Sequence, residues 1–96
     1  MSDSSVSVYV ISVAAEMVGT GVQNLRAYER AGLVTPGRTA GGTRLYSGDD
    51  VSRLRRVAAL LQAGLNLAGI AMVLKLEEEN LRLRARLKRG TRADPA

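Results

Sequence analysis

Apolar residues recur along this chain at two spacings, and the change of spacing marks its elements. Val8 to Ile11 is a run of β-branched and aromatic residues, which predicts a short strand or extended arm. Ser12 is placed to cap a helix over Val13 to Val18, with Glu16 in its early turns. Gly19-Thr20-Gly21 interrupts it. A second helix is predicted from Val22 to Ala31, ending at Gly32, a residue suited to the left-handed position after a helix. Within it Gln23, Arg26, Ala27 and Arg30 share one face at 100° per residue, while Leu25 and Tyr28 turn to the other.

Polar and glycine-rich sequence follows. Leu33 to Pro36 reads as extended, and Gly37 to Tyr46 centres on Gly41-Gly42 between strand-compatible flanks, the pattern of a β-hairpin. Ser47-Gly48-Asp49-Asp50 forms a capping box with Asp in place of Glu. It opens a third helix whose apolar positions Val51, Leu54, Val57, Ala58 and Leu61 define one buried face, with Arg53, Arg55 and Arg56 mostly off it. Gly64 ends that helix and Asn66 caps the next, predicted over Leu67 to Lys88. There Val73, Leu76, Asn80, Leu83 and Leu87 step by three and four, an a/d seam of two heptads that calls for a second copy. Ile70, Leu74 and Leu81, on a neighbouring face, are expected to pack back on the domain. Glu77 to Glu79 form an acidic block, and Arg82, Arg84, Arg86, Lys88 and Arg89 a basic one. Antiparallel pairing sets acid against base; Asn80 at an a position argues the other way but carries less weight.

Two short helices around a glycine turn make a helix-turn-helix, and a hairpin directly after them makes a wing. The expected fold is mainly α: a winged helix-turn-helix with a C-terminal antiparallel coiled-coil dimerisation helix. Residues 1–7 are expected to be a disordered lead, 8–65 the winged domain, 66–89 the dimerisation helix and 90–96 a flexible tail.

Composition narrows the chemistry. Ninety-six residues allow one small domain. With no Phe and no Trp, the core must be Leu, Val, Ala and Met, and three tyrosines are too few for a single-strand binder that stacks bases. Fourteen basic residues against nine acidic give a net charge of +5, which draws polyanions. The absence of Cys and His removes thiol sensing, zinc structure, disulfides and imidazole catalysis. No pair among the remaining carboxylates, Lys, Ser and Tyr is arranged for catalysis, so an enzyme is not expected. Nor is a metal, nucleotide or organic cofactor, since Gly41-Gly42 is too short for a phosphate loop. No stretch suggests a signal peptide or a membrane span.

The chain resembles the MerR family of transcription regulators. The resemblance spans Tyr9 to Leu83 and is carried by Asn24-Leu25-Arg26-Ala27-Tyr28-Glu29-Arg30-Ala31-Gly32-Leu33 and by Arg38 through Tyr46. Tyr9 to Glu16, Gly41 to Ser47 and Asn66 to Ile70 are most similar to the heat-shock repressor branch of actinobacteria. Asn24 stands where the family usually has Thr, Ala27 where it often has a second aromatic, and Thr20-Gly21-Val22 departs from its turn, so the operator sequence is not carried over. The resemblance implies a cytoplasmic, nucleoid-associated bacterial repressor of chaperone genes. It would bind inverted repeats in double-stranded DNA as a homodimer, with the DnaK chaperone as co-repressor. No appended sensor domain, and hence no small-molecule effector, is expected.

The candidate DNA contacts follow. Arg26 suits a phosphate or guanine, and Gln23 and Asn24 suit base edges. Arg30 shares their face, with local ion pairing to Glu29 as its alternative. Tyr28 matches a family tyrosine whose hydroxyl reaches phosphate. Arg44 and Thr43 on the returning wing strand, and Arg38 on the other, are placed for the backbone or minor groove, with Leu45 inward and Tyr46 packing under the wing. Two rivals remain: a protein-interaction adaptor with a basic docking helix, and an architectural, excisionase-like DNA bender.

Overall fold

A computed structural model describes residues 3–93 and the side chains of residues 3–90. The elements run β1 (Ser7–Val10), α1 (Ile11–Val18), α2 (Val22–Arg30), β2 (Gly37–Arg38), β3 (Arg44–Ser47), α3 (Gly48–Gln62) and α4 (Leu67–Ala93). The chain is mainly helical, a winged helix-turn-helix with a long last helix.

The ends of the short helices follow from backbone chemistry. Gly19 closes α1 at φ +86°, and its N–H reaches the carbonyls of Ala15 and Glu16. Gly32 at φ +78° does the same beyond α2, where Gly32 N–H donates to Glu29 and Leu33 N–H to Tyr28. This pair of bonds is the Schellman stop that the sequence signals. Ser12 does not cap α1. The helix begins one residue after β1, at Ile11, behind an extended Val10 without a side-chain cap. The capping box of α3 is complete: Ser47 Oγ accepts Asp50 N–H at 3.0 Å, and Asp50 Oδ2 accepts Ser47 N–H at 3.0 Å. Asn66 Oδ1 accepts Gly69 N–H at 2.8 Å and caps α4.

The sheet holds three strands, not two. Its order is β1-β3-β2, all antiparallel, so the predicted arm is an edge strand of the wing, with Val10 opposite Leu45 and Tyr9 opposite Tyr46. This pairing makes β3 central and changes which of its residues face inward. Tyr46 is fully buried and Leu45 only partly, whereas the alternation had set Leu45 inward. The expectation that Tyr46 packs under the wing holds.

Leu25, Tyr28, Leu33, Val51, Leu54, Val57 and Ile70 join Ala14, Ala15 and Tyr46 in one core. In α3 it is Leu60 that completes the buried stripe, while Leu61 and Ala58 lie at its margin. The α3 arginines brace the fold. Arg55 donates Nε and Nη2 to Met17 O at the end of α1, and Arg53 Nε donates to Leu33 O.

Ile70 and Leu74 tie α4 to the core, and Arg53 with Glu78 and Arg56 with Glu77 pin it to α3. Beyond these anchors α4 projects. A compact chain of this length has a radius of gyration of about 12.5 Å, and this one reaches 16.1 Å. Leu81, expected to fold back on the domain, is 69% exposed because the core stops at Leu74, about two turns earlier. The helix also continues to Ala93, past Lys88. At the other end Asp3 to Ser5 form a turn that docks Ser4 O on Asp49 N–H. Met1, Ser2 and residues 94–96 of the expected lead and tail lie outside the described residues.

Candidate nucleic-acid interface

The division of α2 into two faces is the basis of the site. Leu25 and Tyr28 are buried at 0% and 6% exposure, so they clamp the helix to the domain. Gln23, Asn24, Arg26 and Arg30 are exposed. Arg26 and Arg30 make no hydrogen bond or ion pair with any described residue. This separates them from the basic residues of α3 and the wing, whose guanidinium groups are engaged. A helix held by one face, with unpaired arginines on the other, has the reach a major groove requires.

Asn24 is placed differently from its neighbours. Its Nδ2 donates to Thr20 Oγ1 at 2.7 Å, across the turn between the helices. Two of the residues that depart from the family pattern therefore partner each other. The bond uses one amide N–H and leaves the carbonyl oxygen and the other N–H for a base edge. Tyr28 lies with Leu25 on the buried side of α2. It lines a shallow concavity with Gly19 and Thr20 of the turn and with Ala58, Leu61 and Gln62 of α3.

The wing stands beside α2. Thr39 N–H donates to Thr43 O and Gly42 N–H to Thr39 O, which closes the tip, and Gly42 takes φ +87° there. Thr43 is exposed at that tip. Arg44 and Arg38 do not project freely. Arg44 Nε donates to Glu29 Oε1 at 2.5 Å and Arg38 Nη2 to Glu29 Oε2 at 3.3 Å. Glu29, the last-turn acid of α2, is thus paired across to the wing and not with Arg30. The sequence holds no local signal for this, because the partners are 9 and 15 residues away.

Tyr46 lies beneath this junction. Its hydroxyl is the one buried side-chain polar atom without a hydrogen-bond partner among the described residues. Burial, reinforced by the charge of Glu29, raises its pKa above the ordinary tyrosine value of 10.0.

No cluster of acidic side chains among the described residues is arranged to hold a metal ion. No described helix is long and apolar enough to cross a membrane.

A family model described as the MerR HTH family regulatory protein matches residues 9–77. The chain belongs to the MerR family. This MerR chain is 52% identical over 80 residues to the heat shock protein HspR of Streptomyces coelicolor, across 82% of its own length and 53% of that protein's. It is 38% identical over 74 residues to the transcriptional regulator GlnR of Bacillus cereus, across 77% and 57% respectively. The chain thus spans about half the length of these curated relatives. In structure it is similar to HiNmlR, a MerR family regulator lacking the sensor domain, whose crystal structure was solved bound to promoter DNA. The TM-score is 0.67 at 26% identity, covering 88% of this chain and 70% of that one. A MerR family regulator from Bacillus cereus gives a TM-score of 0.64 at 26% identity with the same coverage. GlnR and both structural neighbours are regulators by name, two of them transcriptional regulators.

Proposed function

We propose that this MerR-family chain is a sequence-specific repressor that binds inverted repeats in double-stranded DNA as a homodimer. The observation that carries the reading is the exposed face of α2, where Arg26 and Arg30 stand unpaired among the described residues, beside Gln23 and next to a wing. The 52% identity to HspR favours heat-shock genes as its targets. The resemblance to that branch favours a chaperone co-repressor over a small-molecule effector, and a cytoplasmic site of action on the nucleoid. Gln23 and Arg26 read base edges, Asn24 assists through its free carbonyl, and Arg30, Thr43 and the wing contact the backbone. Tyr28 contributes its hydroxyl end from the concavity beside the turn.

The second copy pairs along α4, within residues 66–89. Leu76 and Leu83 are more than half exposed, at 61% and 56%, and Leu87 stands a turn further on. A groove beside them is lined by Val73, Leu76, Asn80 and Leu81. Val73 is half-buried against its own core and closes the seam from that end. Glu77 and Glu78 are already taken by Arg56 and Arg53, so the basic block, with Glu79, sets the orientation of the pair. A parallel pair would align Arg82 to Arg89 with its own copy. An antiparallel pair moves that run away from itself, towards Glu79 and the apolar start of the partner helix.

The test is selection of bound duplexes from a randomised pool, followed by footprinting and a reporter assay. Enrichment of an inverted repeat with two symmetric footprints and lowered reporter output is the expected result. Equal affinity for selected and scrambled duplexes would make the protein an architectural binder. Absence of any duplex binding would leave the adaptor reading.

A further inference from the structure

Three charged side chains meet where α2 abuts the wing. Glu29 is largely covered, with 22% of its side chain exposed, and its two oxygens take one arginine from each wing strand: Arg44 of β3 at Oε1 and Arg38 of β2 at Oε2. A carboxylate on a surface that faces phosphates works against binding. Its position is therefore informative, and the guanidinium hydrogens explain it.

An arginine carries five N–H donors in a rigid plane. Arg44 gives Nε–H to Glu29, and its two Nη groups have no partner among the described residues. Arg38 uses both ends of its fork internally, Nη1 on Gly42 O at 3.1 Å and Nη2 on Glu29. The fork of Arg38 is turned in on the hairpin tip, and the fork of Arg44 is left open. A guanidinium held at Nε presents its Nη pair at a fixed angle, which suits bidentate contact with a phosphate.

We propose that Glu29 is a positioning residue for DNA binding: it holds Arg44 by Nε so that the Nη pair grips a backbone phosphate, and it makes Arg38 a brace of the wing. The inference rests on the DNA-binding reading above and distinguishes two wing arginines that the sequence treats alike. It also sets the charge balance. Two arginines and one carboxylate leave one net positive charge, so the wing accounts for a single phosphate contact in the salt dependence.

The test is fluorescence titration of a duplex selected by the wild-type protein and of its scrambled counterpart, at several salt concentrations. Glu29→Gln should weaken binding to the selected duplex roughly tenfold although it makes the surface more positive. Arg44→Lys, which cannot serve Glu29 and a phosphate from one plane, should fall to the level of Arg44→Ala. The double variant Glu29→Gln/Arg44→Ala should be no weaker than Arg44→Ala. The slope of log affinity against log salt should drop by about 0.9 in Arg44→Ala and stay unchanged in Arg38→Ala. Unchanged or tighter binding by Glu29→Gln, or additive losses in the double variant, would overturn the proposal. If Glu29→Gln does not fold, Arg44→Lys carries the test with the carboxylate intact, and wild-type-like affinity there overturns it. NMR of the Arg44 Nε–H in the free protein separates the two readings. A protected resonance lost in Glu29→Gln, without duplex binding by the wild type, would keep the contact and remove both the DNA reading and the role given to Glu29.

Discussion

A single side chain can oppose the fold that contains it, and Tyr46 does so. Its ring fills the core beneath the wing, while its hydroxyl is buried without a partner. An unsatisfied buried hydroxyl costs about 1–3 kcal/mol, so Tyr46→Phe should leave thermal stability unchanged or raise it. The same group sets an alkaline limit. Because its folded pKa is raised, its contribution is fully present below the unfolded value near 10.0 and is lost as pH rises through the folded value. Chemical denaturation between pH 9 and pH 12 should show this decline in the wild type and less of it in Tyr46→Phe. At the interface, Arg26 has no hydrogen bond or ion pair among the described residues to lose, so Arg26→Ala should leave stability unaltered. It should lower affinity for a selected duplex by about 1–3 kcal/mol if the arginine pairs bidentately with a base. Titration of Arg26→Ala and the wild type against selected and scrambled duplexes measures the effect.

Among the elements, α3 carries the most structural work. Its N-terminus follows β3 directly, so the Ser47–Asp50 box both starts the helix and ends the wing. Ser47→Ala should cost about 1 kcal/mol in denaturant unfolding, with the midpoint moving and the slope constant. Its arginines show why a basic count is a poor map of a binding face. Arg55 caps α1, while Arg53 and Arg56 secure α4, and none of the three is free as Arg26 is. The hydrogen bond from Arg56 holds the Glu77 carboxyl below its ordinary value of 4.5, so this pair's support for α4 is present above that pH and lost as pH falls through the lowered value. Exposure of both partners keeps that support small and sensitive to salt.

At the scale of the molecule, the projecting half of α4 gives the chain its shape of 53 × 34 × 20 Å and leaves leucines in solvent. In the proposed homodimer a second copy hides this seam. Leu83→Lys should give a monomer in sedimentation while the winged domain keeps its stability, since Leu83 touches none of the core. Affinity for an inverted repeat should fall much more than affinity for a single half-site, because the two heads lose their linkage. A variant that stays dimeric would place the seam elsewhere on the helix.

Local rules determined much of this protein from the sequence by itself. The glycine stops after α1 and α2, the Ser47 box, the Asn66 cap and the two faces of α2 each depend on residues within four positions of one another, so periodicity and capping chemistry suffice to read them. What only the tertiary structure decided lies further apart in the chain. β1 became a third strand because its hydrogen-bond partners are on β3, almost forty residues away, and that pairing buried Tyr46 in preference to Leu45. Glu29 left Arg30 for Arg38 and Arg44, and Glu77 and Glu78 turned to α3, because charges pair with whatever the packing brings within reach. A carboxylate's neighbours in space are set by how helices and strands stack, and no local spacing encodes that.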